Sequence, residues 1–317
     1  MTDRRQFIKR TLIPAGALCL PSVLHAHPLS VGNARVPEHP LSTRLRTLTR
    51  DTVWTLITGI KIGFKTHHCQ GMVKIGDEFW VSSVEMGTTE DGLVDRSTGK
   101  GHLFRISIAG RLVDDISIGE GSIFHPGGID FDGEHIWIAA AEYRPDSQAI
   151  IYRFDPSTKE LKEMFRWQDH IGAIARNKDS NTLHGISWGS RKFYKWELDD
   201  SGNVPLPLAA PADTARLNHS FYIDYQDNQC LGGREMLYTG LSVYKRAGGQ
   251  PLAIGGLEIV DLEKGLAMHQ VAVQLWAPVT GVIMTQNPSF FELMPDDRLR
   301  AYFMPEDNES TIYVYEA

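Results

Sequence analysis

From Thr52 onward, short apolar runs alternate with turn residues, and the runs carry the period of two expected of half-buried strands. Residues 127–165 show the plan most clearly. Gly127 to Phe131 reads as one strand, Asp132-Gly133 as a hairpin turn, and His135 to Ala141 as a second strand. Ala149 to Phe154 is a third, and Asp155-Pro156-Ser157-Thr158 turns the chain into a fourth, Leu161 to Phe165. Asp-Gly between alternating apolar runs is a strong hairpin signal, because glycine takes positive φ without a steric penalty. No run shows the period of a helix of ordinary length. Pro205 to Ala212 reads as loop, and residues 27–51, with Pro28, Pro37 and Pro40, as an extended leader.

The strand groups repeat. Inner strands open on His68-Cys-Gln-Gly-Met, His125-Pro-Gly-Gly-Ile, His170-Ile-Gly-Ala-Ile, His219-Ser-Phe-Tyr-Ile and Asn287-Pro-Ser-Phe-Phe, at separations of 57, 45, 49 and 68 residues. A period of one four-stranded sheet predicts an all-β chain folded as a β-propeller. The count gives five blades, or six if the Pro205 region or Gly248 to Gly256 conceals strands. The last repeat stops after three strands, while Thr52 to Ile62 has no blade of its own. That segment is expected to complete the last blade and close the ring. Trp80 and Trp137 fall in register and are expected between blades. Gly71, Gly127, Gly128, Gly172 and Ala173 are expected to let strands approach near the axis.

Composition narrows the class. Thr2-Asp3-Arg4-Arg5-Gln6-Phe7-Ile8-Lys9 resembles the twin-arginine export motif, and Val23-Leu24-His25-Ala26 offers a cleavage point. The intervening apolar stretch, broken by Pro14, is too short to span a bilayer. The expected location is the periplasm or the exterior, with residues 1–26 as signal and 52–317 as one domain. Loss of residues 1–26 removes Arg4, Arg5, Lys9 and Arg10 against Asp3, so the net charge of −7 becomes −10. An acidic chain without a basic run is a poor partner for nucleic acid or anionic membranes. Cys69 and Cys230 fall on non-adjacent blades, too far apart for a disulfide.

The candidate chemistry sits at the mouth of the channel, where inner strands begin. His68, His125, His170 and His219 are expected to ring it, with Asn287 as fifth member and substrate contact. Neutral imidazole is the commonest metal ligand, and a nitrogen-rich set suits zinc, iron, copper or nickel. Glu85 and Glu142 end equivalent strands and are expected beside the ring, to orient imidazoles or move protons; Glu306 is a rough equivalent. Arg144, Arg191 and Arg246 fall in loops on the same face and would recruit a small anionic substrate. His67, His102, His135, His184 and His269 have no repeat equivalents and are set aside.

The twin-arginine segment and the His-x-Gly-Gly-Ile type repeats resemble those of an uncharacterised family of exported bacterial propellers. That resemblance implies the fold and no activity. The chain is also loosely similar to gluconolactonase-like and strictosidine-synthase-like propellers, which hold calcium with Asp, Asn and Glu at the axis; histidine dominance departs from that pattern. By analogy alone, the ring is similar to the four-histidine iron centre of the carotenoid oxygenases. Two functional readings follow: an exported metal-dependent hydrolase or lyase, or a non-catalytic ligand- or partner-binding propeller with structural histidines.

Overall fold

Five antiparallel sheets are strung along the chain in a computed structural model that describes residues 39–317. The twin-arginine motif and the stretch through Ala26 lie outside the described residues. Blade 1 consists of His68–Ile75, Glu78–Thr88, Val94–Ser107 and Leu112–Ile118. Blade 2 has an inner strand in two pieces, His125–Pro126 and Asp130–Phe131, then Ile136–Ala141, Ala149–Phe154 and Leu161–Trp167. Blade 3 is Ala173–Asn177, Thr182–Ile186, Lys192–Glu197 and Arg216–Leu217; blade 4 is Asp224–Gly232, Glu235–Tyr244, Leu252–Asp261 and Leu266–Ala272. In blade 5, Ser289–Leu293, Leu299–Phe303 and Thr311–Glu316 are completed by Thr55–Lys61, which pairs antiparallel with Thr311–Glu316. The protein is an all-β, five-bladed propeller, closed as the unpaired N-terminal segment predicts.

Both segments that might have hidden a sixth blade belong to existing ones. The Pro205 region leads through a single helical turn, Pro211–Thr214, to the outer strand of blade 3. Most of Gly248–Gly256 enters the third strand of blade 4. The leader also differs from its reading. Pro40–Leu45 is helical, and Leu41, Leu45 and Leu48 are buried against Leu237, Leu257, Phe291 and Phe303 of blades 4 and 5. Leucines four and three residues apart share one side of a helical turn, which an extended chain would not allow.

Packing between blades follows the register. Val73 pairs with Trp80 and Asp130 with Trp137. Trp80 packs with Ile136, Ile138 and Phe154 of blade 2, and Trp137 with Ile171, Ile174 and Leu183 of blade 3. Blade 2 breaks its inner strand beyond the Gly127 N–H, which still reaches Ala139 O at 3.0 Å, because Gly128 pairs with blade 3 instead. There the Gly128 N–H donates to Gly172 O at 2.9 Å and the Ile174 N–H to Gly128 O at 3.2 Å. Cys69 and Cys230 are free, on blades 1 and 4.

Two buried carboxyls knit the axis. Asp227 of blade 4 accepts N–H bonds from Met72 of blade 1 (3.0 Å), Ser289 of blade 5 (3.1 Å) and its neighbour Asn228 (2.9 Å). Asp130 of blade 2 accepts from the Cys230 N–H of blade 4 at 3.0 Å. Burial pushes Asp130 up to about 8 and Asp227 well above the usual carboxylate range, with the N–H bonds opposing.

A carboxyl raised on folding holds a proton that the unfolded chain has released. The stability it permits is complete below about pH 4 and is lost as pH climbs through the folded value. Buried histidines act oppositely: burial lowers His170 and His184 to about 4, so they cost stability as pH falls below about 6.5. Between about pH 7.5 and 8 these two histidines are nearly neutral in both states and the carboxyls dominate. The melting temperature, measured with chelator, is therefore expected to fall across that interval. Asp130→Asn keeps an acceptor for Cys230 and should flatten the fall. Equal slopes in both proteins would remove Asp130 as its cause.

Candidate functional site

Three of the four ring histidines stand where the repeat places them. Each lies five residues before an equivalent inner-strand position, Val73, Asp130 or Ala175, that pairs with Trp80, Trp137 or His184. His68 is half-buried, and its Nδ1–H donates to Asp307 Oδ1 at 2.9 Å. His125 is 5% exposed, and neither ring nitrogen has a hydrogen-bond partner. His170 is buried, and its Nδ1–H donates to the carbonyl of Glu142 at 2.9 Å. The His125 and His170 rings lie 5.8 Å apart, centre to centre.

His219 does not join them. Blade 4 begins at Asp224, and His219 is exposed in the preceding linker. The outer strand of blade 3 lies as late as Arg216–Leu217, so spacing alone put the fourth histidine one linker too early. Asn287 is buried and braces the site instead of facing it. Its Nδ2 donates to Asp307 Oδ1 at 2.8 Å and to Pro305 O at 3.0 Å.

A cavity of about 380 Å³ opens beside the axis, lined by Lys65, His67, His68, Glu85, Met86, Arg96, Tyr143 and Asp307, among others. One wall is a face of blade 1 that sequence reasoning passed over. His67 sits at φ 55, in the left-handed region unusual for a side chain with a Cβ, at the entrance to the strand His68–Ile75. That conformation sends His67 to the blade 1 face while His68 meets Asp307 of blade 5.

Next along the face are Glu85 of the second strand and His102 of the third, where His102 pairs with Ser83, two residues from Glu85. Residues two apart on a strand share a face. Asp115 of the outer strand completes the row and accepts from His102 Nδ1–H at 2.8 Å. The His67 and His102 rings stack at 5.2 Å and 8°.

Among the described residues, His67, Glu85 and His102 are the one group of three or more His, Cys, Asp or Glu side chains whose donor atoms all lie within 4.8 Å of one another. His67 Nδ1 and His102 Nε2 each stand 3.8 Å from a Glu85 oxygen. His102 is 3% exposed, and with Nδ1–H given to Asp115 its Nε2 has no hydrogen-bond partner. Burial lowers the proton affinity of His67, opposed by Glu85, which favours the neutral imidazole that binds metal. Two nitrogens and one carboxylate, with a second carboxylate orienting one imidazole, form a recognisable metal-ligand set. The signal in the sequence was the His67-His68 pair, visible but without a repeat partner.

Glu142, expected beside the ring, turns elsewhere. Its carboxylate takes Ser122 Oγ at 2.9 Å, Gln148 Nε2 at 3.2 Å and the guanidinium of Arg144, while its backbone carbonyl holds His170. The three rim arginines are engaged away from the cavity. Arg144 pairs with Glu142, Arg191 with Asp224 at 3.0 Å, and Arg246 Nε donates to Gln250 O at 2.8 Å. The cations on the cavity wall are Lys65 and Arg96, the latter lying over the Tyr143 ring at 5.4 Å. Glu306 faces Tyr313 Oη, at 2.8 Å, and Thr280.

No curated protein matches the chain. Among solved structures, a hypothetical protein from Leishmania major is similar at 11% identity and TM-score 0.51, covering 82% of this chain and 90% of that one. A mannose phosphorylase from Leishmania mexicana has 10% identity and TM-score 0.45, covering 82% and 88%. The periplasmic gluconolactonase of Pseudomonas aeruginosa has 14% identity and TM-score 0.34, covering 78% and 85%. Likeness at this level is one of fold. Residues 33–317 match a family of unknown function, DUF6454, and the chain belongs to that family.

Proposed function

We propose that the protein is a metal-dependent enzyme, of hydrolase or lyase type, acting on a small anionic substrate in the mouth cavity. His67, Glu85 and His102 would hold a transition metal ion, with zinc, iron, copper and nickel all suited to this donor set. The observation that carries this reading is His102 Nε2, which is buried, without a partner, fixed in orientation by Asp115 and 3.8 Å from Glu85. Three protein ligands leave coordination positions toward the cavity, where a bound ion supplies an activated water or polarises a carbonyl. Lys65 and Arg96 attract the anionic end of the substrate. Glu85 thereby moves from the proton-transfer role expected of it to that of ligand. The segment at Arg4-Arg5 resembles a twin-arginine signal, and export of a chain already folded would let a metal be loaded beforehand.

Zinc binding to the metal-free chain, followed by equilibrium dialysis, tests the site without knowledge of the substrate. Glu85→Ala, a change at a half-buried position, should weaken the tightest ion at least about 100-fold and leave the circular dichroism unchanged. Asp115→Asn should weaken it roughly 10- to 100-fold, the usual effect of removing a ligand's supporting partner. Unchanged affinity in Glu85→Ala would overturn the site. Anion binding by a chain that takes up no metal would favour the binding-module reading instead.

A further inference from the structure

We infer that the mouth holds a second transition-metal site on the propeller axis, formed by His68, His125 and His170 from three consecutive blades. It goes beyond the function proposed above and rests on different residues. Metal-ligating histidines almost always give their other ring N–H to a carboxylate, a backbone carbonyl or water. Two of these three do so: His68 Nδ1–H goes to Asp307, itself braced by Asn287, and His170 Nδ1–H goes to Glu142 O. With Nδ1 so engaged, each ring leaves Nε2 as the nitrogen open to an ion.

His125 supplies the independent observation. It is 5% exposed, and both its nitrogens lack hydrogen-bond partners. Burying such a group without a partner costs about 1–3 kcal/mol, so a position that keeps it calls for something to bind there. The His125 ring lies 5.8 Å from that of His170, near the separation of about 5 Å for two imidazoles on one tetrahedral ion. The route in is the mouth cavity: His68 and Tyr143 line it, and the Tyr143 ring covers His125 at 4.5 Å.

The axial donors do not all lie within the 4.8 Å of one another that His67, Glu85 and His102 achieve. The imidazoles must rotate to close on an ion, so the axial site is the weaker of the two.

Equilibrium dialysis of the metal-free full chain against zinc decides the matter, with Glu85→Ala, His125→Phe and the double variant beside it. The expected uptake is two ions for the wild type, one for each single variant and none for the double. The ion lost in His125→Phe should be the weaker one. His125→Phe should also raise the melting temperature of the metal-free chain, because two unpaired buried nitrogens leave the core. His68→Gln, at a half-exposed position, should weaken the second ion at least tenfold and serves if His125→Phe does not fold. Two ions still bound by His125→Phe, or by His68→Gln with wild-type affinities, would overturn the axial site. One ion, lost only in Glu85→Ala, would overturn it and leave the blade 1 site standing. One ion lost only in His125→Phe would uphold it and remove the blade 1 site.

Discussion

Asp227→Ala is expected to cost about 3–6 kcal/mol, a large share of the 5–15 kcal/mol that holds an ordinary domain folded. Its carboxyl group accepts N–H groups of Met72 and Ser289, so one side chain of blade 4 satisfies the inner strands of blades 1 and 5. With the Asn228 N–H, three buried donors depend on it. Removing the acceptor leaves each to bear about 1–3 kcal/mol of unreturned desolvation. Asp227→Asn should fall between, since one amide oxygen replaces two and the amide N–H₂ meets donors. Urea unfolding of the three proteins would show it. A loss below about 1 kcal/mol in Asp227→Ala would mean that the axis does not depend on these bonds.

Gly127→Ala should destabilise by about 3 kcal/mol or more, a fall of roughly 5–10 °C in melting temperature, while Gly172→Ala is nearly neutral. A Cβ on Gly127 would stand 2.0 Å from the carbonyl oxygen of Gly172, and backbone cannot swing aside as a side chain can. Blades 2 and 3 would have to separate, breaking the Gly128 N–H bond to Gly172 O. A Cβ on Gly172 meets nothing nearer than 3.7 Å. The two glycines meet where blades 2 and 3 approach, so thermal melts of both variants separate contact at the axis from a general effect of glycine replacement. Equal melting temperatures would show that the inner strands are looser than their spacing indicates.

Much of the axis was legible in the chain. The His-x-Gly-Gly pattern marked the inner strands, and Gly71 and Gly127 are required as expected: a Cβ on Gly71 would lie 2.4 Å from Ile129 N. His68, His125 and His170 share one register because each lies five residues before an equivalent inner-strand pairing position, Val73, Asp130 or Ala175, whatever the loops between them add. His219 failed because the linker and the late outer strand of blade 3 displace it, and insertions in loops leave no mark on a period of two. The arginines were placed on the right loops, but a loop position does not fix where a long side chain points. Each found a nearby carboxylate or carbonyl instead of the cavity.

The sequence by itself determined the all-β repeat, the closing segment and the packing of Trp80 and Trp137, because all follow from alternation and repetition along the chain; that the blades number five and not six was decided by the pairing of strands. The tertiary structure alone decided which side chains meet. Asp115, His102, Glu85 and His67 come from four strands of blade 1 or their edge, and they form a row because pairing register stacks them on one face. The left-handed turn at His67 then parts two consecutive histidines, one toward that row and one toward the axis. Likewise, Asp227 joins three blades through N–H groups that every residue but proline carries, so the chain has no pattern that names its partners.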